Sequence, residues 1–196
     1  MNREIQMAKL ISKALTPFSV AAMISVAISS FSPTGIGSRM SSLSSTLIGI
    51  LTLCVGPLVP VACNAARCKG DADVSNTSER IPLYGLGLAS YAVGAVIFLV
   101  FGNWVMFVMA LTYLCVGSTM LAISFAWKIS AHTAGIAGPT TALVFVFGTW
   151  IMPLYVLSIL VVWSRVRLHA HTFLQAVAGL VVAIAVTSVV YLAFYL

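Results

Sequence analysis

Charge is what this chain has least of. Asp, Glu, Lys and Arg make up 7% of its 196 residues, against about 25% in an ordinary soluble domain. Between Ile81 and Phe125 there are 45 residues with no charge at all. Such a chain has too few polar groups to cover a surface in water, so its solvent is lipid. The length allows one compact membrane domain over residues 1–196 and no second folded unit. A pI near 9.4 would suggest nucleic acid in a soluble protein. Here membrane topology and an anionic ligand account for the cations, and no nucleic-acid partner is expected. Cysteine is also scarce. Cys54 and Cys115 lie inside apolar runs, as small buried thiols do. Cys63 and Cys68 have no histidine or second pair beside them, so neither a metal site nor a disulfide is expected.

What is present is a series of long apolar runs. A membrane helix needs about 20 mostly apolar residues at about 1.5 Å each. Ala14–Phe31, Leu43–Ala62, Pro82–Phe101, Trp104–Trp127 and Thr172–Leu196 meet that length, with Gly102-Asn103 as a natural turn between the third and fourth. Thr133–Trp163 is too long for one span and is interrupted by Pro139, Gly148 and Pro153. A hairpin of two short helices turning near Gly148 fits it. The expected fold class is an all-α integral membrane protein of about seven transmembrane helices, or six if one segment only half inserts. The first residues have the charge and length of a signal peptide but are expected to stay in place. Residues 2–13 read instead as an interfacial amphipathic helix, with Ile5, Ala8 and Ile11 spaced for its lipid side. The four tryptophans, Trp104, Trp127, Trp150 and Trp163, stand near span ends, as in an interface belt.

With seven spans, the polar segments fall on one face: residues 1–13, 63–81, 128–132 and 163–171. Of the fourteen charged residues, only Arg39 lies on the other face. Setting aside Arg80, Lys128 and Arg165 as site residues leaves six cations against one, which predicts that this face is cytoplasmic.

Three of these polar breaks carry recognisable spacing. The last contains Ser164-Arg165, five residues, His171, three residues and Gln175. The middle one is Ile129-Ser130-Ala131-His132, and the first is Asp73, six residues, Arg80-Ile81-Pro82. In order and spacing they resemble the signatures of the type-2 phosphatidic acid phosphatase superfamily: Lys-x6-Arg-Pro, Pro-Ser-Gly-His and Ser-Arg-x5-His-x3-Asp. The resemblance covers roughly residues 69–180. It departs where Asp73 replaces the lysine, Ala131 the glycine and Gln175 the final aspartate. Lys69 and Lys128 are candidates for the missing cation.

The residue types suit phosphate chemistry in their own right. A phosphate ester repels nucleophiles with its negative oxygens, so a catalyst needs cations around it and a positioned nucleophile. Arg80 and Arg165 offer rigid forks of donors, Lys128 a point charge, and Ser130 and Ser164 hydroxyls. Histidine serves as nucleophile or general acid near neutral pH. The resemblance implies that His171 attacks phosphorus to form a phosphohistidine, that His132 protonates the leaving oxygen, and that neither metal nor cofactor is needed. Gln175, at i+4 from His171, is expected to hold the ring. His169 and Arg167 read as interfacial residues, and Asp71, Asp73 and Glu79 as partners for the neighbouring arginine rather than metal ligands.

The implied activity is hydrolysis of a lipid phosphomonoester or diphosphate: a polyprenyl diphosphate, a phosphatidate or a phosphatidylglycerol phosphate. Transfer of the phosphoryl group to an alcohol on the same scaffold is an alternative. A non-catalytic lipid-binding or transport protein is another. Intramembrane prenyl transfer needs paired aspartate clusters for Mg²⁺, and the second cluster is absent from the sequence.

Overall fold

The computed structural model describes residues 3–67 and 77–196, apart from the side chains of residue 67 and residues 77–81. Every element among them is helical. Helix α1 (Arg3–Ala14) is followed, after a 48° bend, by α2 (Pro17–Phe31). The next rod is continuous: α3 (Ser42–Gly49), a π-helical stretch (Ile50–Val55) and α4 (Gly56–Arg67). Then come α5 (Thr77–Val100), α6 (Trp104–Ser124), α7 (Ala131–Phe147), a 3₁₀ stretch (Thr149–Leu154) running into α8 (Tyr155–Arg167), and α9 (Phe173–Phe194).

Among the described residues, five rods are long and apolar enough to cross a membrane: Ser42–Ala66, Pro82–Val100, Trp104–Ser124, Thr149–Arg167 and Phe173–Phe194. The bent α1–α2 pair makes six if it counts as one span. The chain is an integral membrane protein, all-helical among the described residues. The expected hairpin is present, with α7 ending at Phe147 and the turn made at Gly148, whose φ of 100° favours glycine. Pro139, expected to break this segment, instead lies inside α7. The residue four before it, against whose carbonyl a proline ring presses, is Gly135. At 17 residues α7 rises only about 25 Å, and α2, its packing neighbour, is shorter still.

Local chemistry explains where the elements start. Thr16 caps α2 in a reciprocal box with Ser19, and Pro17 takes the first helical position, where its missing N–H costs nothing. Asn103 caps α6, its side chain accepting from the Met106 N–H at 3.3 Å and donating to Ser45 Oγ at 2.9 Å. Ser45 also bonds Ser29 at 2.7 Å, so α2, α3 and α6 share one buried polar knot at the end away from the histidines. Small residues let the rods approach each other. A Cβ on Gly56 would fall 1.9 Å from Ser90 Oγ, and one on Gly94 would fall 2.6 Å from Thr52 Oγ1. Ser90 Oγ donates to the Thr52 carbonyl at 2.7 Å, within the π-helical stretch, where the regular bond ladder is altered.

The main apolar core joins Ile24, Ile28, Leu53, Phe98, Met106, Met109 and Tyr191. A second, smaller cluster of Met120, Ile129, Ala134, Ala137 and Ala183 lies under the polar breaks. Large apolar side chains such as Leu51, Val96, Ile159 and Val189 face outward, as they do where lipid is the solvent.

The amphipathic helix α1 forms as expected but with a different inner face. Ala8 and Ser12 are buried, while Met7 and Leu10 are the strongly exposed apolar residues. Ala8 therefore faces protein instead of lipid. The physical reason is that α8 packs along α1 and takes this face for itself.

Candidate active site

The turn between α8 and α9 is built by two capping devices placed back to back. At the end of α8 the Ala170 N–H donates to the Arg165 carbonyl at 3.1 Å and the His169 N–H to the Val166 carbonyl at 3.0 Å. This is the Schellman pattern, with His169 in the left-handed conformation (φ 55°) that such a stop requires. At the start of α9, Thr172 Oγ1 accepts from the Gln175 N–H at 3.3 Å, and Gln175 Oε1 accepts from the Thr172 N–H at 3.0 Å. Between the stop and the start lies His171, whose own N–H donates to the Arg165 carbonyl at 3.4 Å.

Gln175 therefore does something other than expected. His171 precedes α9, so the two residues are not i and i+4 on one helix, and the Gln175 side-chain oxygen is engaged by the cap. The signal was present as Thr172-x-x-Gln175, the capping-box spacing.

The middle break enters α7 in the same way. Ser130, fully buried, is the N-cap and accepts from the Thr133 N–H at 3.4 Å. Thr133 Oγ1 donates back to the Ser130 carbonyl at 3.0 Å. The Ser130 N–H reaches across to the Gln175 carbonyl at 3.3 Å, so the middle and last breaks are hydrogen-bonded to each other. Gly179 allows this closeness, since a Cβ there would stand 2.5 Å from the Ser130 carbonyl oxygen.

The result is that His132 and His171, 39 positions apart in sequence, line one cavity of about 210 Å³. Its walls come from α2, α4, α5, α6 and α7 and are apolar: Phe18, Val61, Leu88, Val116 and Met120 among them. Gly87, Gly117 and Gly135 let these walls come close, since a Cβ on them would stand 3.3, 2.8 and 2.6 Å from Pro57, Leu88 and Pro17 of the neighbouring helices. Along α6 the lining runs from Met120 to Met109, a rise of about 16 Å. The N-terminus of α7, with Ala131 and His132 in its first turn, stands at the cavity, where helix N–H groups favour an anion.

The other expected site residues are placed as follows. Arg165 is 4% exposed, and its Nη1 donates to Ser12 Oγ on α1 at 2.9 Å. Ser164 is fully buried, and its hydroxyl donates to the Ala8 carbonyl at 2.9 Å. Neither lines the cavity. Lys128 is exposed in the turn before α7 and is not part of the cavity wall either. Arg80 falls in the first turn of α5, just before Leu83 and Tyr84, which line the cavity. Lys69, Asp71 and Asp73 lie outside the described residues, as do the side chains of Glu79 and Arg80. Arg167 pairs with Glu4 of α1, and His169 is exposed. Sequence reasoning missed Ser12 and placed Ala8 on the wrong face; both lie far from every motif and meet them only through packing.

The fold and its paired breaks define a class, an integral membrane helical bundle with a cavity among its apolar helices lined by two histidines from separate breaks. No family model, curated protein or solved structure matches the chain.

Proposed function

We propose that the chain is a membrane lipid phosphatase or diphosphatase of the type-2 phosphatidic acid phosphatase kind, working through a phosphohistidine. The observation that carries this is that His132 and His171, from separate breaks, line one apolar cavity beside a helix N-terminus. The cavity suits a hydrocarbon chain, and the helix start and the two imidazoles suit a phosphate. In this reading one His171 nitrogen attacks phosphorus while the bond to the leaving oxygen breaks, and His132 gives that oxygen its proton. Water, losing a proton to His132, then cleaves the phosphorus–nitrogen bond and returns His171. Arg80, Arg165, Lys128, Ser130 and Ser164 belong to the phosphate-binding set of this reading, Arg165 keeping its Nη1 bond to Ser12 and offering its other guanidinium donors. The polar face is cytoplasmic, following the excess of cations around it.

The test is phosphate release from a panel of lipid phosphates and diphosphates by purified protein in excess EDTA. Activity is expected to survive chelation and to fall by about 10³-fold in His171→Ala and in His132→Ala. Activity that needs Mg²⁺ and is indifferent to His171→Ala sinks the mechanism. Tight lipid binding without turnover would make the cavity a carrier's pocket.

A further inference from the structure

Helix α1 is joined to α8 by a polar seam of regular spacing. Glu4, Ala8 and Ser12 stand four residues apart and share one helix face. Glu4 pairs with Arg167, the Ala8 carbonyl accepts from Ser164 Oγ, and Ser12 Oγ accepts from Arg165 Nη1. The two inner contacts are buried. Arg165 thus has its side chain in the seam while its carbonyl receives the Ala170 and His171 amides. One residue links α1 to the turn that presents His171.

We infer that Ser12 is a positioning residue for the site. By holding the Arg165 guanidinium it fixes the last turn of α8, and with it the aim of His171 into the cavity. A helix that served only as a membrane anchor would need exposed apolar and cationic residues, which Met7, Leu10, Lys9 and Lys13 already supply. It would not need a buried serine bonded to a buried arginine. A small displacement at this point matters, because misplacing a reacting group by about 1 Å can cost about a hundredfold in rate.

The kinetic consequence rests on the phosphatase reading, so the experiment has a second arm that needs no turnover. Full-length wild type, Ser12→Ala and Ser12→Thr are assayed on a lipid phosphate in vesicles. The same proteins are followed by amide hydrogen exchange over residues 168–172. Ser12→Ala is expected to lower kcat about tenfold or more while KM moves less than about twofold. Exchange of the Ala170 and His171 amides is expected to quicken at least about tenfold, with no change at the distant start of α6. Ser12→Thr keeps the hydroxyl and is expected to restore both. Glu4→Gln, at the exposed end of the seam, is expected to move them in the same direction by less and guards against a misfolded Ser12→Ala. If wild type releases no phosphate but the exchange pattern holds, the phosphatase reading fails and the seam stands. If exchange at 168–172 is unchanged in Ser12→Ala, or Ser12→Thr is equally impaired, the inference is overturned.

Discussion

At position 169 a histidine sits where helices usually place glycine. The Schellman stop of α8 needs a left-handed residue there, and His169 adopts it at φ 55° with its side chain exposed. Glycine takes this conformation without a Cβ penalty, so His169→Gly is expected to raise stability by up to about 1 kcal/mol. Thermal unfolding in detergent checks this, and a lowered midpoint would contradict it. Activity should be retained, since His169 is exposed and takes no part in the cavity that His171 lines. Gln175 makes the complementary case at the start of α9. Losing its bond to the Thr172 N–H in Gln175→Ala should cost about 1 kcal/mol, while Gln175→Glu keeps the capping box and the stability. A collapse of turnover in Gln175→Glu, with stability intact, would show that the amide has a chemical role as well. The phosphatase-like spacing gives neither assignment, and for Gln175 the signal was the capping-box spacing Thr172-x-x-Gln175. The residue spacing suggested a partner for His171, whereas the backbone needed a cap at that point, and the local geometry met the cap first.

At the scale of elements, the breaks are held together by close helix approach. Gly179 is the point where α9 passes the N-cap of α7, and a Cβ there would meet main-chain atoms that have little room to move. Gly179→Ala is therefore expected to cost about 1–3 kcal/mol and to lower activity, because the Ser130–Gln175 bond ties the two histidine-bearing breaks. At Gly85 of α5 an added methyl would meet no atom within 4 Å, and Gly85→Ala should be neutral or gain up to about 1 kcal/mol. Equal losses at both sites, measured by thermal unfolding, would remove the packing explanation. The element pattern itself was largely legible in the sequence. Hydropathy marks α5, α6 and α9 within a few residues, and Gly148 marks the hairpin. The inner face of α1 was not legible, because in a membrane protein an apolar residue is equally at home against lipid or against protein. Ala8 reads the same in either setting, and only the arrival of α8 decides between them. Pro139 failed as a breaker for a related reason: inside a bundle, neighbouring helices support a backbone that would otherwise bend or end.

The whole molecule sorts its chemistry by end. The far end is held by the Asn103–Ser45–Ser29 knot and by the Trp104 indole, which donates to the Phe194 carbonyl at 2.7 Å. The other end holds α1, the two capped turns, both histidines and the start of α7. This arrangement makes a definite topological claim. Five helical passes separate Lys13 from Thr149, through α2, the α3–α4 rod, α5, α6 and α7. If all five cross, the short α2 and α7 included, their odd number puts those two exposed positions on opposite sides of the membrane. Single cysteines placed at 13 and 149, in a chain with Cys54, Cys63, Cys68 and Cys115 replaced, should therefore differ in reaction with an impermeant thiol reagent. With the histidine end in the cytoplasm, position 149 is expected to label in intact cells and position 13 only after permeabilisation. Reversed labelling would turn the site outward, to a lipid phosphate of the opposite leaflet. Labelling of both from one side would mean that α2 or α7 fails to cross, and the short helices beside the cavity would then be re-entrant.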